Sequence, residues 1–263
     1  MSKQSFKNIS KLLDIETKSV PIEEQFLNDL KRSMEIEDKK GWRLPSKTFK
    51  PSAMNCRRGS YYQLVGQEPD EGEAVYNIIS ICNAGSDIHE RIQGFVSHMS
   101  NSGMDCEWVD VGSFIERRQL LDVSVREKMG YETKLYNNRY NISFMCDGLI
   151  KYKGKYYILE LKTETSHKWY NRKDVDKKHY HQAISYSISL GIDEVIFVYI
   201  DRDMLNMKAY RFVVTDDMKQ EVIDYITEVQ GYVDRHIVPP KPENIEKRLC
   251  QYCGYRQSCR KDG

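Results

Sequence analysis

The stretch CDGLIKYKGKYYILELK, residues 146–162, alternates apolar and polar side chains as a β-hairpin does, with a turn predicted at the KGK of residues 153–155. Three charged residues lie inside its two apolar-rich runs: Asp147, Glu160 and Lys162. Charged groups are costly to bury without partners. A central strand pair that carries charges at these positions therefore indicates a functional site.

Glu160 and Lys162 are two residues apart on one strand, so their side chains point to the same face. An exposed ion pair is the simpler explanation, because such pairs are common and contribute little to stability. Neighbouring apolar residues favour a buried strand instead: Phe144, Ile158, Leu159 and Leu161. Buried carboxylates need a cation, and their hard oxygen ligands suit Mg²⁺ or Mn²⁺. Asp147 lies beyond the closest predicted pairing with Glu160, so the strands are expected to cross.

Composition places the chain among globular proteins. It has 263 residues, of which 40% are apolar and 30% charged, with a formal net charge of +1. No apolar run has the length that a membrane span needs, and residues 1–20 contain no signal-peptide core. We expect a protein without a membrane partner in the cytoplasm, or in the host cytoplasm if a phage encodes it.

The remaining pattern predicts an α/β fold with a mixed sheet, because strands stand before and after a helix and further helices lie outside them. Residues 1–50 are predicted to form an N-terminal helical and basic segment and residues 51–263 the main domain, with Ser52 capping a helix. The predicted elements are helices over 74–99, about 174–190 and 216 to about 233, strands over 131–136, 139–152, 156–163, 194–200 and 208–214, and a polar loop around Trp169.

Two helical patterns flank the hairpin in sequence. Upstream, Gly85 and His89 stand four residues apart on the helix predicted over 74–99. Downstream, Gln182 and Tyr186 stand four apart on one face of a helix. Singly, each pattern has a plainer explanation, an exposed histidine and a solvated helix edge. Together with the hairpin charges, and in this order, they are hard to ascribe to chance.

The combined pattern resembles the PD-(D/E)XK nucleases of the RecB-like branch over roughly residues 50–260. That branch carries a G-x-x-x-H helix, a strand aspartate, an (E/D)-x-K strand and a Q-x-x-x-Y helix in this order. The matching residues here are Gly85 and His89, Asp147, Glu160 and Lys162, and Gln182 and Tyr186. One departure is the proline that often precedes the aspartate, where this chain has Met145-Cys146. The resemblance implies a restriction-endonuclease-like core with a mixed central sheet flanked by helices.

The resemblance also implies roles for these residues. The metal ligands would be His89, Asp147, Glu160 and the backbone carbonyl of Leu161. Lys162 would orient or deprotonate the attacking water, while Gln182 and Tyr186 would contact the DNA backbone near the scissile phosphate. These roles agree with the chemistry expected of buried carboxylates, since a bound Mg²⁺ or Mn²⁺ lowers the pKa of its water and neutralises charge on the phosphate.

The cysteines fall into two groups, and disulfides are not expected in the cytoplasm. Three of them stand alone among apolar residues and are predicted to be buried: Cys82, Cys106 and Cys146. Cys250, Cys253 and Cys259 form a C-x-x-C-x-x-x-x-x-C group. Three thiols cannot complete a tetrahedral zinc site, and Cys56 is the best candidate for the fourth. Spacing alone leaves zinc open.

An N-terminal cysteine with a C-terminal group of this spacing is similar to the iron–sulfur nucleases of the RecB-like branch. These include the CRISPR-associated RecB-like exonucleases and the AddB-type helicase–nuclease subunits. The resemblance implies that Cys56, Cys250, Cys253 and Cys259 ligate a 4Fe–4S cluster, with Zn²⁺ as the alternative. Such a cluster would have a structural role, because it would close a loop of about two hundred residues.

Two basic segments adjoin the predicted cluster, residues 39–58 with seven Lys and Arg and no acid, and residues 247–261 with five. A combined basic surface would hold the phosphate backbone of DNA. Aromatic residues beside basic ones are candidates to stack unpaired bases, although packing in the core explains each aromatic equally well. These residues are Tyr61, Tyr62, Trp169 and Tyr170, with Arg57, Arg58, Lys168, Arg172 and Lys173.

The resemblance implies a metal-dependent DNA exonuclease that acts on single-stranded ends, in DNA processing, recombination, replication or CRISPR adaptation. No G-x-x-x-x-G-K-S/T motif of a helicase motor is visible. Such an enzyme would act alone or with a helicase, a recombinase or CRISPR adaptation proteins. Two alternatives stay open: a structure-specific endonuclease with the same site, and a non-catalytic iron–sulfur DNA-binding subunit of a larger complex.

Overall fold

A computed structural model describes residues 20–40, 46–70, 76–242, 250 and 253–263. Predictions that fall on residues 1–19, 41–45, 247–249 and 251–252 lie outside the described residues. The chain divides into two compact units, Met1–Trp42 with Ala74–Ser80, and Arg43–Glu73 with Ile81–Gly263.

The first unit contains helix α1, Ile22–Lys40. Two glutamates in its first turn suit the positive end of the helix dipole. Within this unit, the Glu35 carboxylate accepts a hydrogen bond of 3.3 Å from the backbone N–H of Tyr76. The Lys31 ammonium lies 4.7 Å from the centre of the Tyr76 ring. Polar and cation–π contacts therefore join its two chain segments.

The second unit contains eight described strands: β1 (Cys106–Trp108), β2 (Val123–Met129), β3 (Glu132–Asn137), β4 (Ile142–Cys146), β5 (Gly148–Tyr152), β6 (Lys155–Glu164), β7 (Glu194–Asp201) and β8 (Met207–Val213). Five of them form a mixed sheet in the order β1-β5-β6-β7-β8, in which only the β6–β7 pair is parallel. The other three form an antiparallel sheet in the order β2-β3-β4. The predicted α/β class with a mixed sheet is confirmed.

The single strand predicted over 139–152 is wrong. The chain leaves the three-stranded sheet at Cys146 and enters the five-stranded sheet at Gly148. Asp147 is the residue between the two strands. A continuous apolar alternation hid this break, because each half of the run pairs with a different partner strand.

The β5–β6 hairpin fixes what lies opposite Asp147. Gly148 pairs with Leu159, and a two-residue turn joins the strands at Lys153-Gly154. Continued by one residue, this register sets Asp147 opposite Glu160. The expected crossing of strands is therefore wrong, since ordinary antiparallel pairing already brings the two carboxylates together.

Among the described residues, the second unit has the helices α2 (Arg57–Val65), α3 (Tyr76–Ser97, of which the first five residues belong to the first unit), α4 (Val111–Arg118), α5 (Ser166–Asn171), α6 (Tyr180–Leu190), α7 (Asp216–Asp234) and α8 (Arg256–Lys261). Thr215 caps α7 by accepting a hydrogen bond from the backbone N–H of Met218. Ser52 lies inside a 3₁₀ turn instead of capping a helix, and the loop predicted around Trp169 is helical. None of the described helices is both long and apolar enough to cross a bilayer.

Strand β6 buries side chains on both faces of the large sheet. Leu159 and Leu161 pack with Ile88 of α3 in one apolar cluster. Ile158 belongs to a second, larger cluster that includes Ala183 of α6. Alternate residues of the strand thus meet helices on opposite sides, which confirms a central sheet flanked by helices.

Candidate active site

Asp147 lies where the chain passes from the small sheet to the large one, and two hydrogen bonds hold it in place. It is buried, and its Oδ2 accepts a hydrogen bond of 2.8 Å from the backbone N–H of Leu161. Its backbone carbonyl accepts another of 2.8 Å from Nε2 of Gln93. Both bonds come from neighbouring elements, so the carboxylate has a fixed orientation between β4, β6 and α3.

A chain of hydrogen bonds runs from β6 through α6 to β4. The Lys162 ammonium donates to Glu160 Oε1 and, over 2.9 Å, to Gln182 Oε1. Gln182 Nε2 donates to the Tyr186 hydroxyl, which donates to the carbonyl of Met145, each over 2.6 Å. The four predicted residues therefore form one network, in which Gln182 and Tyr186 brace the lysine.

Gly85 and His89 place an imidazole beside Asp147. A Cβ atom at Gly85 would lie 3.2 Å from Oγ1 of Thr163, so the glycine allows α3 to approach the end of β6 closely. One turn later, His89 is half-buried with its Nδ1 4.0 Å from Asp147 Oδ2. The helix motif and the strand aspartate thus lie side by side.

Glu132, which the sequence reasoning missed, joins this group. One ligand atom each from His89, Glu132 and Asp147 lie within 4.8 Å of one another. Glu132 begins β3, and Thr133 pairs with Cys146 across the small sheet. Continued by one residue, that register sets Glu132 opposite Asp147. Asp147 therefore faces a glutamate on each of the two strands beside it, one in each sheet.

The site contains three carboxyl groups and one lysine, so ionising all three would leave negative charge without a cation. Glu160 is only 1% exposed, and its Oε2 is buried without a hydrogen-bond partner among the described residues. Burial, and then the neighbouring Asp147, raise the pKa of Glu160 to about 8. The same two causes raise the pKa of Glu132, and burial raises that of Asp147. An unpartnered buried oxygen among three carboxyls fits a divalent cation.

The two basic groups of the site have different charge states. Burial, and then Lys162, lower the pKa of His89 to about 4, so its imidazole is neutral, as a metal ligand must be. Burial lowers the pKa of Lys162, but Glu160 and Asp147 raise it by more than burial lowers it. The pKa is therefore above its ordinary value, and the ammonium stays charged. A charged Lys162 is suited to donate hydrogen bonds to a water or a phosphate oxygen. The Leu161 carbonyl as a metal ligand stays a prediction.

The four predicted cluster cysteines line one cavity of about 760 Å³, here called the thiol cavity. Cys56 stands directly before α2, and the other three are near the end of the chain. Burial, and then the other three thiols, raise the pKa of Cys253, which reflects their proximity. All four are free of disulfides. Of the isolated cysteines, Cys106 and Cys146 are buried as predicted and Cys82 is exposed.

The four thiols are a donor set that suits either a zinc ion or an iron–sulfur cluster. Zinc–sulfur bonds of about 2.3 Å in a tetrahedron place the sulfur atoms about 3.8 Å apart. Among the described residues, no three of the four sulfur atoms lie within 4.8 Å of one another. A cluster of several iron atoms holds its thiolates farther apart than one ion does.

Arg58 ties the end of the chain to α2 beside the thiol cavity. It is buried, and its guanidinium donates hydrogen bonds to the carbonyls of Pro239, Cys259 and Asp262 over 2.7–3.0 Å. It also donates to the Cys259 sulfur over 3.3 Å, and the Tyr255 backbone N–H donates to the Cys253 sulfur over 3.5 Å. Donors to sulfur stabilise thiolates, the form that binds metals.

Several residues considered for DNA contacts are inside the protein. Tyr61, Tyr62 and Trp169 are buried, so they pack in the core, while Tyr170 is 66% exposed. Arg58 is buried as described. Arg172 is largely buried and pairs with Glu164, and its guanidinium carbon lies 4.1 Å from the centre of the Tyr199 ring. Of the two explanations, packing inside the protein is therefore the one that fits Tyr61, Tyr62 and Trp169. Arg58 and Arg172 have polar partners within the fold, so they are not available to hold DNA.

Comparisons with known proteins gave structural likenesses only. No family model matches the chain, and no curated protein matches its sequence. A crystal structure of SSO0001 is similar with a TM-score of 0.48 and 15% identity, covering 90% of this chain and 98% of that one. An alkaline exonuclease from Laribacter hongkongensis is similar with a TM-score of 0.37 and 12% identity, covering 78% and 93%.

Proposed function

We propose that the protein is a metal-dependent deoxyribonuclease of the PD-(D/E)XK type, RecB-like branch, which removes nucleotides from single-stranded DNA ends. One observation carries the proposal: ligand atoms of His89, Glu132 and Asp147 lie within 4.8 Å of one another, and Glu160, paired with a charged Lys162, lies beside Asp147. A site with three carboxyls, an imidazole and an ammonium is suited to phosphodiester hydrolysis. It supplies hard ligands for a cation and a donor for the reacting water or phosphate.

The side chains divide the work of the proposed reaction. His89, Glu132, Asp147 and Glu160 would hold Mg²⁺ or Mn²⁺, and the Leu161 carbonyl is the predicted fifth ligand. When bound, such a cation lowers the pKa of a coordinated water and neutralises charge on the scissile phosphate. The charged Lys162 would orient that water, and Gln182 with Tyr186 would keep the lysine in position. Burial favours the neutral form of Glu160, so this carboxyl would have to release a proton to act as a ligand.

Cleavage of labelled DNA tests this function. The protein, purified without oxygen, is incubated with end-labelled single-stranded DNA, duplex DNA, flap DNA and RNA, each with Mg²⁺, Mn²⁺ or a chelator. We expect stepwise shortening of single-stranded DNA that needs the cation. Internal cuts at a flap junction would instead support a structure-specific endonuclease. Intact DNA with every cation, together with retained binding, would contradict the catalytic proposal and favour a non-catalytic DNA-binding subunit.

We also propose that Cys56, Cys250, Cys253 and Cys259 ligate a 4Fe–4S cluster. The four thiols that line one cavity and the two N–H donors to sulfur support a thiolate site there, and the resemblance favours the cluster over Zn²⁺. The cluster would fasten the end of the chain to α2 without taking part in cleavage. A role in recombination, replication or CRISPR adaptation, with a helicase or recombinase as partner, remains the expectation from the resemblance.

Replacing Glu132 with glutamine is expected to weaken Mn²⁺ binding by about tenfold or more, because the site loses a negative charge and one carboxylate ligand. Titration calorimetry with Mn²⁺ measures the change. Glu127→Gln is the matched control, since Glu127 lies on the neighbouring strand β2 with its side chain half exposed. Equal Mn²⁺ affinity in the two variants would remove Glu132 from the proposed ligand set.

A further inference from the structure

A second cavity, of about 250 Å³, lies beside the candidate active site and is here called the basic cavity. Its walls come from the end of β6, from α5, from the turn before α6 and from Arg202, which directly follows β7. Strands β6 and β7 are parallel and end side by side, with Glu164 opposite Asp201. The basic cavity thus lies at the carboxyl ends of two parallel strands, a common position for ligand sites in α/β sheets.

Positive charge dominates the described lining of the basic cavity. Four of the eight residues carry a fixed positive charge: Lys162, Lys168, Lys178 and Arg202. Glu164 is the acidic residue among them, and Arg172 neutralises it by donating to both of its oxygens. Outside the lining, Glu160 pairs with Lys162, and Asp176 lies 3.5 Å from Lys178. With these two acids counted, the concave surface still has an excess of positive charge, which favours an anion.

His179 adds a neutral polar group to the same wall. Burial, and then Lys162, lower its pKa to about 3, so the imidazole carries no charge. Its Nδ1 is 2.9 Å from the Tyr199 hydroxyl, and its ring stacks near Phe197. The imidazole is thus held in one orientation by the sheet beneath it, and it is a fixed part of the cavity wall.

Lys162 belongs to both sites. Its ammonium contacts Glu160 and Gln182 in the candidate active site, and its side chain also lines the basic cavity. An anion in the cavity would therefore lie immediately next to the bond that the active site cuts. In a nucleic-acid strand, the anion next to one phosphate is the neighbouring phosphate.

We propose that the basic cavity is a phosphate subsite, which holds a phosphate of the nucleic-acid strand adjacent to the scissile one. The identity of this anion rests on the proposed function. Lys178 and Arg202 are the cations that distinguish the subsite from the active site itself. A terminal phosphate monoester and an internal phosphodiester share the chemistry that this cavity recognises.

Binding without added divalent metal tests the subsite separately from cleavage. Fluorescence anisotropy is measured with a single-stranded oligonucleotide that carries a 5′-phosphate, a 3′-phosphate or hydroxyls at both ends. The variants are Lys178→Gln, Arg202→Gln and the double variant. Lys153→Gln is the matched control, because it removes one exposed lysine at the hairpin turn, at the opposite end of β6. Thermal unfolding checks that each variant is folded.

The double variant is expected to raise the Kd by about tenfold and to reduce the slope of log K against log salt by about 0.7, as loss of one phosphate contact to a single strand predicts. If the double variant loses affinity only for the oligonucleotide with one kind of phosphorylated end, the subsite binds a terminal monoester. If it loses affinity equally for all three oligonucleotides, the subsite binds an internal diester. A double variant that binds as tightly as Lys153→Gln would overturn the subsite. If wild-type binding depends on Lys178 and Arg202 but the protein does not cleave DNA with any divalent metal, the proposed function is contradicted. The phosphate subsite would still be supported in that case.

Discussion

Replacing Lys162 with methionine is expected to lower the single-turnover rate of DNA cleavage by about 10³-fold, the usual scale for loss of a positioned proton donor or acceptor. The ammonium of Lys162 is the cation held between Glu160 and Gln182, and methionine keeps the length of the side chain without the charge. The same change is expected to leave Mn²⁺ affinity equal or higher, because it removes a positive charge that competes with the metal for Glu160. Rates from quenched time courses and Mn²⁺ titrations measure the two effects.

Lys155→Met is the matched control for this substitution. Lys155 begins the same strand, is 66% exposed on its side chain and pairs with Glu194 over 2.9 Å. Exposed pairs of this kind contribute little to stability, so cleavage should stay near the wild-type rate. Cleavage by Lys162→Met within a few-fold of the control would contradict the role proposed for Lys162.

The Lys162 variant should remain folded, which keeps the comparison interpretable. Removal of the ammonium leaves Glu160 buried without its cation. The pKa of Glu160 is already raised to about 8, so the carboxyl can bind a proton and become neutral near pH 7. Circular dichroism melts of the two variants, compared without metal, test this expectation.

Local sequence relations identified most of the site. Glu160 and Lys162 share a strand face by their spacing of two, and Gln182 and Tyr186 share a helix face by their spacing of four. Both relations depend only on the geometry of one element. The structure accordingly places these four residues in one hydrogen-bond network.

Glu132 could not be found in this way. Its place beside Asp147 depends on the register between β3 and β4 and on the change of sheets after Cys146. Both are relations between strands, and no residue near position 132 has a distinctive spacing to the other motifs. Glutamates are common at the starts of strands, so the sequence gives no reason to single out Glu132. Its significance follows only from its position beside His89 and Asp147.

Arg58 illustrates the same limit for the charged residues. In sequence it belongs to a basic run that is typical of a surface for DNA. In the structure its acceptors are the carbonyls of Pro239, Cys259 and Asp262, which lie 181 to 204 residues away along the chain. Only long-range packing decides whether such an arginine faces solvent or holds two chain segments together.

Replacing Cys259 with serine is expected to abolish the iron content and visible absorbance of the anaerobically purified protein, because a cluster needs all four thiolates. Loss of the link between Cys56 and Cys259 should also destabilise the fold. Closing a loop of that length contributes about 5 kcal/mol in the loop-entropy picture. The melting temperature should therefore fall by about 10 °C or more for a chain of this size. Iron and zinc analysis together with thermal unfolding measure these effects.

Cys82→Ser is the matched control, since Cys82 is exposed on α3 and outside the thiol cavity. It should keep both the iron and the melting temperature of the wild type. Zinc without iron in the wild-type protein would contradict the cluster and leave a four-thiolate zinc site in its place. Neither metal, with equal melting temperatures for both variants, would contradict both assignments. Arg58 and its carbonyl partners would then be enough to hold the end of the chain against α2, because that contact does not depend on the thiols.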